Sequence, residues 1–184
     1  MNSHFNLIAP IYDRVIPFAR LEQMLKVLDL PHAGCLLDAG GGTGRVAHAL
    51  RPHVGSVVVA DVSRGMLAQA RQKDLAAASA ETEHLPFPDG TFDRILMVDA
   101  LHHVVHQAET VRELYRVLKP GGRLVIEEPD LRTFPVKLIA IAEKLALMRS
   151  HFLAPAQIAA LFPPEARTRI ESEDRNAWVI VEKS

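Results

Sequence analysis

Residues 36–50 read Leu36-Leu37-Asp38-Ala39-Gly40-Gly41-Gly42-Thr43-Gly44-Arg45-Val46-Ala47-His48-Ala49-Leu50. The apolar run Cys35–Leu37 predicts a short buried strand that ends at Asp38. Arg45–Leu50 predicts a helix, limited by Pro52. Glycines between a strand and a helix permit a tight turn and let a ligand touch the backbone, while the helix N-terminus offers free N–H groups. The spacing narrows the ligand. A dinucleotide fingerprint continued from Gly40 and Gly42 needs a third glycine at position 45, and that residue is Arg45. A phosphate-binding P-loop is excluded as well, because no Gly-Lys-Ser/Thr follows.

The pattern repeats on both sides of this loop. Leu21, Leu25 and Leu28 recur at helical spacing, and Pro31 and Gly34 are expected to stop that helix. Val57–Ala60 predicts a β-branched strand ending in Asp61, after which Ser63 can cap a helix with Met66, Leu67 and Ala70 on one face. A weaker strand is expected near Ala76–Ala80 and clear ones at Ile95–Val98 and Leu124–Ile126. Between the last two, Val111, Leu114, Tyr115 and Leu118 mark a helix ended by Lys119-Pro120-Gly121-Gly122. Strands alternating with helices, and apolar throughout, predict a parallel sheet covered on both faces. Arg167–Glu171 and Trp178–Val181 flank a polar turn with no helix between them, which predicts a C-terminal hairpin. The expected fold class is therefore α/β: a Rossmann-like three-layer sandwich with a mostly parallel seven-stranded sheet and an antiparallel C-terminal hairpin.

The 184 residues suit a single domain, 1–184. With 48% hydrophobic but only 5% aromatic residues, the core is expected to be aliphatic. A lone cysteine, Cys35, excludes a disulfide framework and a cysteine-rich zinc site. The net charge of -1 argues against nucleic acid as the main partner. No apolar run is long enough for a membrane span, and no signal peptide is read, so a cytoplasmic chain is expected. Asp61 stands about twenty residues beyond the loop, where an acid can accept two hydrogen bonds from a ribose diol. Loop and acid together point to a nucleoside-containing ligand. By themselves they do not separate NAD from other adenosine cofactors.

Five segments in order resemble the class I S-adenosylmethionine-dependent methyltransferases: Leu36–Gly44, Val59-Ala60-Asp61-Val62-Ser63, Glu83–Asp93 (Glu-His-Leu-Pro-Phe-Pro-Asp-Gly-Thr-Phe-Asp), Ala100-Leu101-His102-His103-Val104, and Arg116–Gly122. Within that class the chain is similar to the type 11 small-molecule enzymes, which include those of ubiquinone and menaquinone biosynthesis. The start Phe5–Asp13 is also similar to that quinone subgroup. The resemblance covers Phe5–Glu128 well and the C-terminal quarter loosely.

It implies S-adenosyl-L-methionine as cofactor, with S-adenosyl-L-homocysteine as product. Asp38 would lie near the cofactor's amino group and Gly40, Gly41, Gly42 and Gly44 along its methionine moiety. Asp61 would take the ribose, and Val62 and Met66 the adenine faces. Glu81, where the family usually has Asp, would accept from the adenine amine, and the Thr82 N–H would meet a ring nitrogen. Asp99 would add its backbone carbonyl, and a charged contact from its side chain is a further expectation. Tyr12 would wall the pocket within an N-terminal lid, 1–20.

Methyl transfer from a sulfonium is an in-line displacement in which the protein chiefly aligns the acceptor and excludes water. A base is needed only for a hydroxyl or weakly acidic carbon; His103 is the first candidate and Asp99 the second, with a structural role for His102-His103 left open. A metal is not expected despite nine histidines, because no zinc-site pattern accompanies them. Residues 129–154 form a variable insertion in which Leu138, Ile141, Leu145 and Met148 recur at helical spacing. It is expected to pack on the core and to cap an apolar acceptor site. Glu127, Glu128 and Asp130 at the mouth would orient a polar group or be solvated. The expected acceptor is a small, partly apolar molecule, and homodimer formation is left open. The alternatives are an NAD-dependent oxidoreductase, disfavoured by Arg45, and a non-catalytic cofactor-binding partner subunit.

Overall fold

The computed structural model describes residues 9, 12–15, 18–129 and 151–184. Seven strands form one sheet in the order β3-β2-β1-β4-β5-β7-β6. They are β1 His32–Ala39, β2 Val54–Asp61, β3 Ala76–Ser79, β4 Phe92–Val98, β5 Leu118–Pro129, β6 Arg167–Glu173 and β7 Asn176–Glu182. The first five pair in parallel, while β7 is antiparallel to both β5 and β6. The helices are α1 Tyr12–Val15, α2 Leu21–Leu28, α3 Arg45–Leu50, α4 Arg64–Gln72, α5 Gln107–Val117 and α6 Pro155–Ala159.

Alternation along the strands builds the two cores. Leu37, Ile95, Met97, Leu124, Ile126 and Val179 face α5 and α6, meeting Val111, Leu114, Val117 and Ile158. Their neighbours Leu36, Leu96, Val98, Val125 and Ile180 face the opposite side, meeting Met24, Val27, Leu28, Val46 and Leu50 of α2 and α3. The three layers are thus as expected, and the cores are mostly aliphatic. Trp178, on the expected hairpin, is fully buried in the second core, because β7 is inserted directly beside β5.

Three boundaries differ from the sequence reading. Helix α2 ends at Leu28, before Pro31, because Asp29 takes a left-handed conformation and returns its N–H to Leu25 and Lys26; Gly34 lies within β1. Strand β1 runs through Asp38 to Ala39. The segment Lys119–Gly122 opens β5 rather than preceding it. Lys183 explains why: its N–H reaches Gly122 O while its O accepts from Gly121 N, and its ammonium caps α5 at Tyr115 and Leu118 carbonyls. The amphipathic helix expected across Leu138–Met148 lies outside the described residues.

At the start of β1, Ala33 and Gly34 oppose Gly55 alone, a bulge between the pairs His32–Val54 and Cys35–Ser56. A Cβ on Gly55 would stand 2.1 Å from Ala33 O. Backbone cannot yield there as a side chain could. Gly55→Ala is therefore expected to cost about 1–3 kcal/mol, measured by urea unfolding with an unchanged m-value. Wild-type stability in that variant would contradict the bulge geometry.

Candidate active site

Parallel pairing places the carboxyl ends of β1, β2, β3, β4 and β5 along one edge. At the β1/β4 boundary the chain order reverses, which opens a crevice. The glycine turn lies in it. Gly40, Gly42 and Gly44 all have positive φ, and Gly40 N donates to Ala60 O at 2.7 Å. Asp61, at the end of β2, fixes the turn: Oδ2 accepts from Gly42 N at 2.9 Å and Oδ1 from Ser63 N at 2.7 Å. Each carboxylate oxygen has a second lone pair, so Asp61 retains capacity for an incoming diol. Ser63 caps α4 as expected by accepting from Met66 N.

Asp38 lies behind the turn, 1% exposed, and its Oδ2 has no hydrogen-bond partner. Burial pushes this carboxyl up to about 7, against the opposing pull of the Ala47 N–H and the Arg45 charge. A Cβ on Gly41 would fall 2.5 Å from the Asp38 carboxyl carbon, so this close packing requires glycine. An unpaired acceptor at the base of a glycine cradle suits a ligand with an amino group.

Tyr12, Arg45 and Asp99 meet on the β4 side. Asp99 has a positive φ of 50°, and its Oδ2 lies 3.6 Å from an Arg45 guanidinium nitrogen. Burial first, then the charges of Glu127 and Glu128, raises the Asp99 carboxyl to about 6. Tyr12 stands beside Arg45, and burial raises its hydroxyl above the ordinary value. Asp13 ties α1 across the turn by accepting from the Thr43 hydroxyl and pairing with Lys73 at 2.8 Å.

On the adenine side of the expected site the agreement is uneven. Val62 is exposed and open to a planar ligand. Met66 is only 2% exposed and its sulfur lies close to Gly42 of the turn. Glu81 is exposed and forms a backbone bridge with His84. Thr82 is buried against Thr110, their hydroxyl oxygens 3.2 Å apart.

The end of β5 and the turn after β4 hold what the sequence concealed. Glu127 and Glu128 are not solvated; both are buried, pointing to opposite faces of β5. Glu127 accepts from Trp178 Nε1 at 2.9 Å, Asn176 Nδ2 at 3.0 Å and the Arg20 guanidinium. Glu128 accepts from Leu101 N at 2.8 Å and pairs with His102 Nδ1 at 2.5 Å. His103 lies next to it, ring centroids 4.0 Å apart. Burial and the neighbouring His102 push His103 down to about 4, so it is neutral at pH 7. Acids directly after an apolar strand were the available signal, and strand period assigns them to opposite faces. Asp130 lies outside the described residues. Among those residues no group of three or more His, Cys, Asp or Glu side chains could hold a metal.

Asp38 supplies a test without any ligand. Its folded carboxyl is raised from about 4 to about 7, so its contribution favours the fold below pH 4 and is lost as pH rises through 7. Relative to Asp38→Asn, the wild-type melting temperature should fall steadily across that window. A constant difference between the two would refute the assignment.

Residues 37–126 match the family model described as "Methyltransferase domain". A curated relative, the ubiquinone/menaquinone biosynthesis C-methyltransferase UbiE of Marinomonas sp. (strain MWYL1), is 39% identical over 105 residues, which are 51% of this chain and 42% of that enzyme. The match thus spans less than half the length of that relative. Among solved structures, an S-adenosylmethionine-dependent methyltransferase from Thermotoga maritima aligns over 100% of both chains, with a TM-score of 0.82 and 22% identity. Another from Aquifex aeolicus covers 98% of this chain and 97% of its own, at a TM-score of 0.72 and 21% identity. These two establish the fold. The glycine turn and the Asp61 clamp fall in the segment 37–126, which is similar to the methyltransferase domain, and the fold is that of the S-adenosylmethionine-dependent methyltransferases.

Proposed function

We propose that the protein transfers a methyl group from S-adenosylmethionine to a small, partly apolar acceptor. The carrying observation is the unpaired buried Oδ2 of Asp38 at the base of the glycine turn, with Asp61 at one side and the Arg45–Asp99 pair at the other. An acid and a guanidinium side by side complement an α-amino acid zwitterion, and Asp61 complements a ribose. A nicotinamide dinucleotide offers no amino acid to the first pair, which disfavours the oxidoreductase reading. The chemistry supplied by the bound cofactor is an activated methyl on a cationic sulfur.

The chain's own residues then bind, align and exclude water. Asp38 and the Gly40–Gly44 backbone would hold the amino-acid end, Asp61 the ribose, and Val62 with the Glu81–Thr82 backbone the base. Tyr12 and Asp13, latched to Arg45, Thr43 and Lys73, support the reading of residues 1–20 as a lid. Residues 129–154 are read as the cap in the same single domain. For an acceptor that must lose a proton, Asp99 and His103 differ in strength. A base at about 4 is weak at neutral pH, whereas Asp99, at about 6, is ionised at pH 7 and closer in affinity to the proton it would take. This makes Asp99 the better base and His103 a neutral hydrogen-bond acceptor. The relatives' printed role in quinone biosynthesis favours a hydroquinone-like acceptor. The absence, among described residues, of a helix long and apolar enough to cross a membrane is consistent with a cytoplasmic setting.

Two measurements test this reading. Tritium transfer from methyl-labelled S-adenosylmethionine to a panel of hydroquinones, phenols, catechols and amines should label at least one acceptor. Its rate should rise with pH through about 6 as Asp99 ionises. Calorimetry with S-adenosylhomocysteine should show Asp61→Ala weakened by about 10- to 100-fold, with its fold retained. Tight NADH binding without S-adenosylhomocysteine binding would overturn the proposal.

A further inference from the structure

The turn Leu101–His103, which follows β4, is held far more firmly than its length requires. Glu128, 4% exposed, accepts from Leu101 N and from His102 Nδ1. Leu101 O accepts from Gln107 Nε2 at 3.0 Å, and His102 O accepts from His151 N at 2.7 Å. The His102 ring is itself packed on two sides. Phe152 stacks on it at 4.3 Å and 13°, and His103 tilts against it at 4.0 Å and 49°.

A buried carboxylate–imidazole pair is a poor way to gain stability, since apolar side chains of equal volume serve as well or better. Its strength lies in orientation. A carboxylate on Nδ1 fixes which ring nitrogen carries the proton and how the ring is turned. Glu128 does this from β5, a rigid central strand, for a turn at the crevice end of β4.

We propose that Glu128 is a positioning residue for methyl transfer: it holds His102 as the Nδ1–H tautomer and so seats His103 against the acceptor. This rests on the transferase reading above and deepens it by adding a second layer behind the acceptor wall. Glu128 and His102 need not touch the substrate. Burial of His103 beside the fixed ring keeps it neutral, which suits accepting a hydrogen bond from an acceptor hydroxyl.

Glu128→Gln separates positioning from mere packing. The amide oxygen can still accept from Leu101 N, but its NH2 now donates to His102 Nδ1 and drives the proton to Nε2. In nitrogen-15 spectra of the full chain, His102 should change tautomer. With the hydroquinone or phenol acceptor of the panel, kcat should fall about 10- to 100-fold. The acceptor KM and the S-adenosylhomocysteine Kd should stay within about twofold. His102→Asn, whose side-chain NH2 can still donate to Glu128, should show the same kcat loss and serves if the glutamine variant does not fold. A tautomer change with unaltered kcat, or cofactor affinity lost in step with kcat, overturns the proposal. Wild-type protein that binds S-adenosylhomocysteine but methylates nothing overturns the transferase reading, and this one with it.

Discussion

Five carboxylates, Asp38, Asp61, Asp99, Glu127 and Glu128, crowd one edge of the sheet, and everything around them answers to that crowding. Burial opposes charge on the three aspartates, and each of the five is partnered differently. Asp61 draws on backbone N–H groups, Glu127 on an indole, an amide and a guanidinium, Glu128 on an N–H and an imidazole. Asp99 has Arg45 at a loose 3.6 Å, and Asp38 keeps one oxygen unpaired. The least satisfied pair flanks the glycine turn. A ligand carrying a positively charged amino group relieves both.

The parallel part of the sheet was legible because its strands carry short continuous apolar runs, Leu36-Leu37, Val57–Ala60, Ile95–Val98 and Leu124–Ile126, and such runs alternating with helices have few alternatives to a doubly covered parallel sheet. Even the Ala76–Ser79 strand, weak in propensity, was placed by the crossover that needs it. The glycine turn and Asp61 were legible for a related reason: positive φ at Gly40, Gly42 and Gly44 leaves little choice of residue. What stayed hidden depends on partners distant in sequence. Nothing near Glu127 announces Trp178 or Arg20, and nothing near Lys119 announces that Lys183 would pair with Gly121 and Gly122. Helical periodicity gave the buried face of α4, with Met66, Leu67 and Ala70, but not how closely the turn lies upon it.

The two sides of the crevice are written differently in the sequence. The glycine-turn side is formed mainly by backbone and by short acids at strand ends, so it follows from local sequence. The side next to the turn after β4 is assembled from side chains of α5 and β5, held by bonds such as Gln107 to Leu101 and Glu128 to His102.

The insertion of β7 between β5 and β6 has a consequence for biosynthesis. During translation the parallel half, β1 to β5, emerges with Glu127 already facing the second core, yet its Trp178 and Asn176 donors have not been made. Of the partners of Glu127, the nascent intermediate carries only Arg20, beside the layer holding Met24 and Val125. Only synthesis of the last hairpin completes the set with Trp178 and Asn176. Closure of the second core is thereby deferred to a late stage of synthesis, and the half-made sheet exposes the β5 edge, the surface where binding by a chaperone would matter most.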